Sequence, residues 1–154
     1  MAKPDLGSFE LGSISYPQPM AAACGRICRA RTTPERLDSI LKCAEVVTRY
    51  FAAVAVSSFC ARADGATDAP KGVEEFRGKL SWGHLLNLLR IMAGVSDEHP
   101  VKPWLVKPIK GKGKQKGLAG EELECLLNLR NRLGHNLMSL TEPFPEQLLR
   151  LEGP

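Results

Sequence analysis

The sequence lacks several patterns that would at once assign a protein to a large class. It has no GxxxxGK[ST] loop between a strand and a helix, which excludes a P-loop nucleotide hydrolase. Its five cysteines form no CxxC pair and have no histidine at zinc-ligand spacing, so we expect no metal and no cofactor. It also lacks an alternating run of apolar and polar residues long enough for a strand. The lack of a strand pattern indicates an all-α protein.

Leader and membrane segments are also missing from the pattern. No stretch reaches the roughly 18 apolar residues needed to cross a bilayer, and residues 1–13 lack the apolar core of a signal peptide. Three cysteines, Cys43, Cys60 and Cys125, lie in apolar helical patterns, where cysteine acts as a small buried hydrophobe. Reduced thiols are typical of the cytosol. We therefore predict a cytoplasmic protein with no membrane contact.

The composition predicts one domain of ordinary globular character. A chain of 154 residues with 44% hydrophobic residues is long enough for one modest core, and 25% charged residues argue against wholesale disorder. The net charge of +4 mildly favours anionic partners.

The first strong helical pattern begins after a pair of threonines. Thr33 precedes Pro34 and is a good N-cap, whereas Thr32 would form a T-x-x-E capping box with Glu35. Both caps remain open from the sequence alone. The helical periodicity continues to about Ala63, which predicts one helix of about 30 residues.

Two further helices follow along the chain. Ser81 caps a helix that ends near Gly94 and carries Trp82 as an expected core anchor. The third helix runs from about Ala119 to Gly134 or a little beyond. Short helices are expected over 73–78 and 145–151. The fold prediction is an all-α bundle of four to five helices.

Prolines and glycines set the expected domain organisation. Pro4, Pro17 and Pro19 interrupt the beginning of the chain, so residues 1–33 are interpreted as an extended N-terminal arm with at most a helical turn at 21–31. Residues 34–151 form the predicted helical domain. A basic loop rich in Pro, Gly and Lys divides it at 95–117.

The most informative stretch is LLNLRNRLGH, residues 126–135. Arg130 and His135 differ by roughly 140° around a helix and do not share a face, whereas Asn131 and His135 do. Arg130 lies at the edge of an apolar stripe that consists of Leu123, Leu126, Leu129 and Leu133. An arginine in that position must snorkel, pair with an anion or face another subunit.

The pattern Arg130-Asn131-x3-His135 in this helical frame resembles the Arg-x4–6-His motif of the HEPN superfamily (higher eukaryotes and prokaryotes nucleotide-binding domains). The resemblance covers roughly residues 34–140 and implies an HEPN-like bundle. It also implies metal-independent endoribonuclease activity at a composite site in a homodimer, in a prokaryotic defence or toxin–antitoxin setting. Arg130 and His135 would be catalytic and Asn131 would assist, and an antitoxin or a larger effector protein would be a further partner.

The chemistry that the resemblance implies suits these side chains. A histidine with a pKa near ~6.5 can exchange a proton with the ribose 2′-hydroxyl as it attacks the adjacent phosphate. An arginine would stabilise the charge that develops on the phosphoryl oxygens. Asn131 would orient the imidazole or bind phosphate.

Two alternatives stand beside this prediction. The same bundle could be a non-catalytic dimerisation or nucleotide/RNA-binding module of a larger effector. In a purely structural interpretation, His135 follows the helix dipole, Arg130 pairs with a carboxylate on a neighbouring helix and Asn131 is exposed.

A lysine tract in the loop is a second candidate site. Its functional interpretation is a flexible arm on the RNA backbone, which would make binding depend on salt. A solvated, mobile loop explains it equally well. The residues of the tract assigned to RNA binding are Lys107, Lys110, Lys112, Lys114 and Lys116.

Overall fold

In the computed structural model the described part of the chain comprises residues 7–62, 80–94, 108–109 and 117–136. Within these ranges the chain forms five α-helices and no strand, which confirms the all-α fold class. The helices are α1 (Gly7–Ser15), α2 (Gln18–Arg29), α3 (Thr33–Arg62), α4 (Trp82–Met92) and α5 (Leu118–Asn136). The predicted helices at 73–78 and 145–151, and most of the 95–117 loop, lie outside the described residues.

The chain divides into two compact units. Unit 1 consists of Met1–Cys43 and Leu129–Pro154, and unit 2 consists of Ala44–Asn128. Both boundaries fall within helices, the first in α3 and the second in α5.

The N-terminal segment is helical over most of residues 7–29, which corrects the extended arm expected over 1–33. Pro17 is the N-cap of α2 and Pro19 lies in its first turn, where a helix needs no backbone N–H donor. The prolines therefore start α2 rather than prevent it. Its apolar side is buried in unit 1 and consists of Met20, Ala23, Cys24 and Ile27.

Helices α1 and α2 pack closely at a buried glycine. A Cβ atom at Gly12 would lie 2.9 Å from the Tyr16 ring and 3.0 Å from Cys24 Sγ. Only glycine therefore leaves the Cys24 thiol its present place beside α1.

The capping box of Thr32, rather than a Thr33 cap, begins α3. Glu35 N–H donates to Thr32 Oγ1 at 3.3 Å, and Thr32 N–H donates back to Glu35 Oε2 at 3.1 Å. Arg31 N–H donates to the same carboxylate oxygen at 2.9 Å. These donors, that of Arg31 first, hold the pKa of Glu35 below its ordinary value. The described part of α3 extends to Arg62, and its predicted end at about Ala63 lies outside the described residues.

The buried positions of the unit 2 core are small on α3 and large on α4, and the partly buried Phe51, Val56 and Phe59 of α3 pack against them. The buried positions of α3 in this unit are Ala44, Thr48, Ala52 and Ala55. Those of α4 are Trp82, Leu85, Leu86, Leu88, Leu89 and Met92. Short side chains on one helix allow a neighbouring helix with long side chains to approach closely.

Trp82 anchors the start of α4, as predicted. It is 2% exposed, and its Nε1–H donates to Thr48 Oγ1 at 3.0 Å. Thr48 is fully buried and its hydroxyl donates to the Ala44 carbonyl at 2.7 Å. Ser81 caps the helix as expected, in a capping box with His84.

By length and composition, helix α3 is apolar enough over Thr33–Ala61 to cross a membrane, whereas the sequence analysis predicts no such segment. Only 22% of its most apolar window is buried. Core helices of soluble proteins and signal sequences satisfy the same criterion. The absence of membrane contact and the cytoplasmic location therefore stay predictions.

Candidate functional site

The candidate site lies near the C-terminal end of α5, which contains the predicted motif within one continuous helix. Leu126 is buried, while Leu123, Leu129 and Leu133 are half-buried, so the predicted apolar stripe is the inward side of α5. Arg130 at the edge of this stripe is exposed. Exposure is compatible with all three expectations for such an arginine: snorkelling, pairing with an anion, or facing another subunit.

Arg130 and Asn131 contact each other through their side chains. Arg130 Nη1–H donates to Asn131 Oδ1 at 3.4 Å, and Asn131 is half-buried. This bond is long and exposed, so it constrains the guanidinium only weakly and does not neutralise its charge. The expected contact of Asn131 with the His135 imidazole or with phosphate stays a prediction.

His135 belongs to α5, which continues to Asn136. The backbone therefore places it on the same helix as Arg130, one turn beyond Asn131. Its side chain lies outside the described part of the structure, as do the lysine tract (107, 110, 112, 114 and 116) and Trp104. The structure brings Arg130 and Asn131 together and leaves the role of His135 a prediction.

One carboxylate of α5, that of Glu124, forms an ion pair with an arginine of α4. Glu124 Oε2 accepts from Arg90 Nη2 on α4 at 2.9 Å, within unit 2. Among the described residues, Arg130 has no carboxylate partner. The structural alternative for Arg130, pairing with an acid on a neighbouring helix, therefore finds no support in the described part of the chain.

Positive charge predominates in the described part of unit 1. Its acidic groups are Glu10, Glu35 and Asp38; Glu35 serves the α3 cap, and Asp38 pairs with Lys42 at 2.6 Å. The arginines, in contrast, form no ion pair with a described residue. They are Arg26, Arg29, Arg31, Arg36, Arg130 and Arg132. The described part of unit 1 thus offers an excess of guanidinium groups, which suit phosphate oxygens.

The cysteines depart in part from the sequence interpretation. Cys43 is buried as expected, but Cys60 and Cys125 are exposed, because they fall on the outer faces of their helices. The sequence missed a pair: Cys24 Sγ lies 4.0 Å from Cys43 Sγ inside unit 1. The buried stripe of α2 would have placed Cys24 inward, had α2 been predicted as a helix.

Burial raises the pKa of two of these thiols. Burial, together with the neighbouring Cys24, raises the pKa of Cys43 to about 12. Burial also raises the pKa of Cys28, one turn after Cys24. Within the described ranges, no group of three His, Cys, Asp or Glu side chains is arranged to hold a metal ion.

Comparison with protein-family models, with curated proteins and with solved structures finds no match to this chain.

Proposed function

We propose that this chain is a metal-independent endoribonuclease of HEPN type that acts as a homodimer in prokaryotic defence or as a toxin under an antitoxin. The observation that carries the proposal is the exposed Arg130, which donates a hydrogen bond to Asn131 and is unpaired with any described carboxylate. It stands on the same helix as His135, at the spacing of the motif.

The proposed roles follow from the chemistry of the three side chains. Arg130 binds the scissile phosphate and stabilises the negative charge that grows on its oxygens. Asn131 is a positioning residue, since its amide oxygen accepts the Arg130 bond. His135 removes the proton of the 2′-hydroxyl as that oxygen attacks phosphorus; the bond from phosphorus to the 5′-oxygen breaks, and the leaving 5′-oxygen takes up a proton from water. The products are a 2′,3′-cyclic phosphate and a 5′-hydroxyl.

The charge of unit 1 supports an anionic substrate. Arg26 and Arg29 of α2 form no ion pair with a described residue and lie in the same compact unit as the motif. Contacts of this kind to a phosphate backbone release counterions, so binding weakens steeply as salt rises.

The experiment that tests the proposal is cleavage of a labelled single-stranded RNA in EDTA. We expect Arg130→Ala to lose about 100-fold to 1000-fold in rate, as for removal of one donor to a developing oxyanion. His135→Ala removes the general base and loses a comparable 100-fold to 10,000-fold, on the order typical of such groups. The products of the wild type should carry cyclic-phosphate ends.

Arg132→Ala is the matched control for charge. Arg132 is exposed on the same helix, two residues from Arg130, and occupies a variable position of the motif. Its removal deletes the same charge and should leave the cleavage rate within a few-fold of wild type. Equal losses of cleavage rate in Arg130→Ala and Arg132→Ala would show that positive charge in general, rather than the motif, supports cleavage, and would refute the assignment.

The alternative function is a non-catalytic dimerisation or RNA-binding module. A folded wild-type protein that binds the RNA and never cleaves it would establish this alternative. Light scattering tests the composite site separately, because a persistent monomer that nonetheless cleaves RNA would remove the homodimer from the proposal.

A further inference from the structure

Two thiols that the proposed function does not use meet inside unit 1. Cys24 lies on α2 and is 4% exposed; Cys43 lies on α3 and is 7% exposed. Their sulfur atoms are 4.0 Å apart, in contact and unbonded. The two residues are 19 positions apart and belong to consecutive helices, so a bond between them would add a covalent link between the packed faces of α2 and α3.

The surroundings favour this pair over the other cysteines. Cys24 Sγ faces the backbone of Gly12, where no side chain stands between α1 and the thiol. Cys60 and Cys125 are exposed, and both lie in unit 2. The only other cysteine of unit 1 is Cys28, which is half-buried one turn along α2.

From this geometry we propose that Cys24 and Cys43 are a modification site, at which peroxide oxidation forms a disulfide that joins α2 to α3. A disulfide has an S–S length of about 2.05 Å, so the sulfur atoms must approach by about 2 Å. The proposal is independent of the endoribonuclease assignment.

The reaction balances with hydrogen peroxide as the oxidant. Cys24 sulfur attacks one peroxide oxygen, the O–O bond breaks and a sulfenic acid and water form. Cys43 sulfur then attacks the sulfenic sulfur, its proton leaves with the displaced hydroxide as water, and the S–S bond forms. Two thiols are oxidised by two electrons and one peroxide is reduced to two waters.

The test is a peptide map of the folded full chain after peroxide treatment, acid quenching and blocking of free thiols. Trypsin separates every cysteine of this sequence: Cys24, Cys28, Cys43, Cys60 and Cys125 fall in peptides 1–26, 27–29, 43–49, 50–62 and 117–130. We expect peptide 1–26 linked to peptide 43–49 as the main product, reversed by dithiothreitol. The same treatment in urea should spread the links among all five peptides.

Variants and melting temperature complete the test. Cys28→Ser is the matched control and should keep the link, whereas Cys24→Ser should abolish it. The oxidised protein should melt higher by on the order of 5–10 °C, since the bond closes a loop in the unfolded chain. A folded protein whose links are as scattered as in urea, a link lost in Cys28→Ser, or a lower melting temperature would overturn the proposal. The peptide map of the wild-type chain tests the proposal even if a variant fails to fold.

Discussion

The hydrogen bond between Trp82 and Thr48 makes the strongest stability prediction. Thr48→Val replaces the hydroxyl with a methyl group of similar shape at a fully buried position. The Trp82 N–H then loses its acceptor while it remains 2% exposed. A buried donor without a partner costs about 1–3 kcal/mol, and the added methyl offsets less than about 1 kcal/mol. We expect a net loss of about 1–2 kcal/mol in the free energy of unfolding.

A second background isolates the cause. In the Trp82→Phe background the indole N–H donor is absent, so Thr48→Val leaves no buried donor without an acceptor. The Ala44 carbonyl keeps the helical bond from the Thr48 backbone N–H. The same substitution should then change stability by less than about 0.5 kcal/mol, which predicts a coupling energy of about 1–2 kcal/mol between the two positions.

The assay is urea unfolding followed by far-ultraviolet circular dichroism, for wild type, both single variants and the double variant. In thermal melts, Thr48→Val alone should lower Tm by roughly 3–6 °C. Ser57→Ala, at an exposed position of the same helix, is the control and should stay within about 0.5 kcal/mol. If Thr48→Val costs as much beside Phe as beside Trp, the hydrogen bond is not what the substitution removes.

Two further predictions concern glycines and a carboxylate. A Cβ at Gly120 would collide with the Ile109 carbonyl oxygen, whereas one at Gly83 would meet only a side-chain carbon at 3.6 Å. We expect Gly120→Ala to destabilise by about 1–3 kcal/mol and Gly83→Ala to stabilise by up to about 1 kcal/mol, and denaturant titration that shows the same sign for both would contradict this. The pKa of Glu35 is lowered from 4.5, so its charge stabilises the fold above pH 4.5 and this contribution is lost as the pH falls through the lower folded value. Thermal melts should therefore show Glu35→Gln below wild type at neutral pH and converging with it in acid; a constant gap would refute the charge as the cause.

The helices that the sequence predicted well are those with strong local signals. Ser81 and the Thr32 capping box mark the beginnings of α4 and α3, and apolar periodicity carries α4 to within two residues of its predicted end. The sequence analysis does not predict α1 and α2, because prolines and glycines disfavour a helix when their position within it is ignored. Position decides the effect of a proline, and Pro17 and Pro19 stand where helices begin.

The candidate site was predictable only in part. Residue spacing placed Arg130 and Asn131 on α5, and the structure places both there. The bond between them depends on two rotamers, which no spacing fixes. The Cys24–Cys43 contact depends on how α2 packs against α3, and such long-range packing is not encoded in either local segment.

The division of the buried unit 2 core into small residues on α3 and large residues on α4 has a consequence for sequence change. At Ala52 and Ala55 of α3 an added methyl group meets atoms already in contact, whereas at Leu85 and Leu89 of α4 a lost one leaves a void. Tolerated replacements are therefore expected to differ between the helices, with serine or glycine entering α3 and methionine or isoleucine entering α4. Larger changes can persist only as pairs, in which growth on one helix accompanies shrinkage on the other, so these positions should vary together rather than singly.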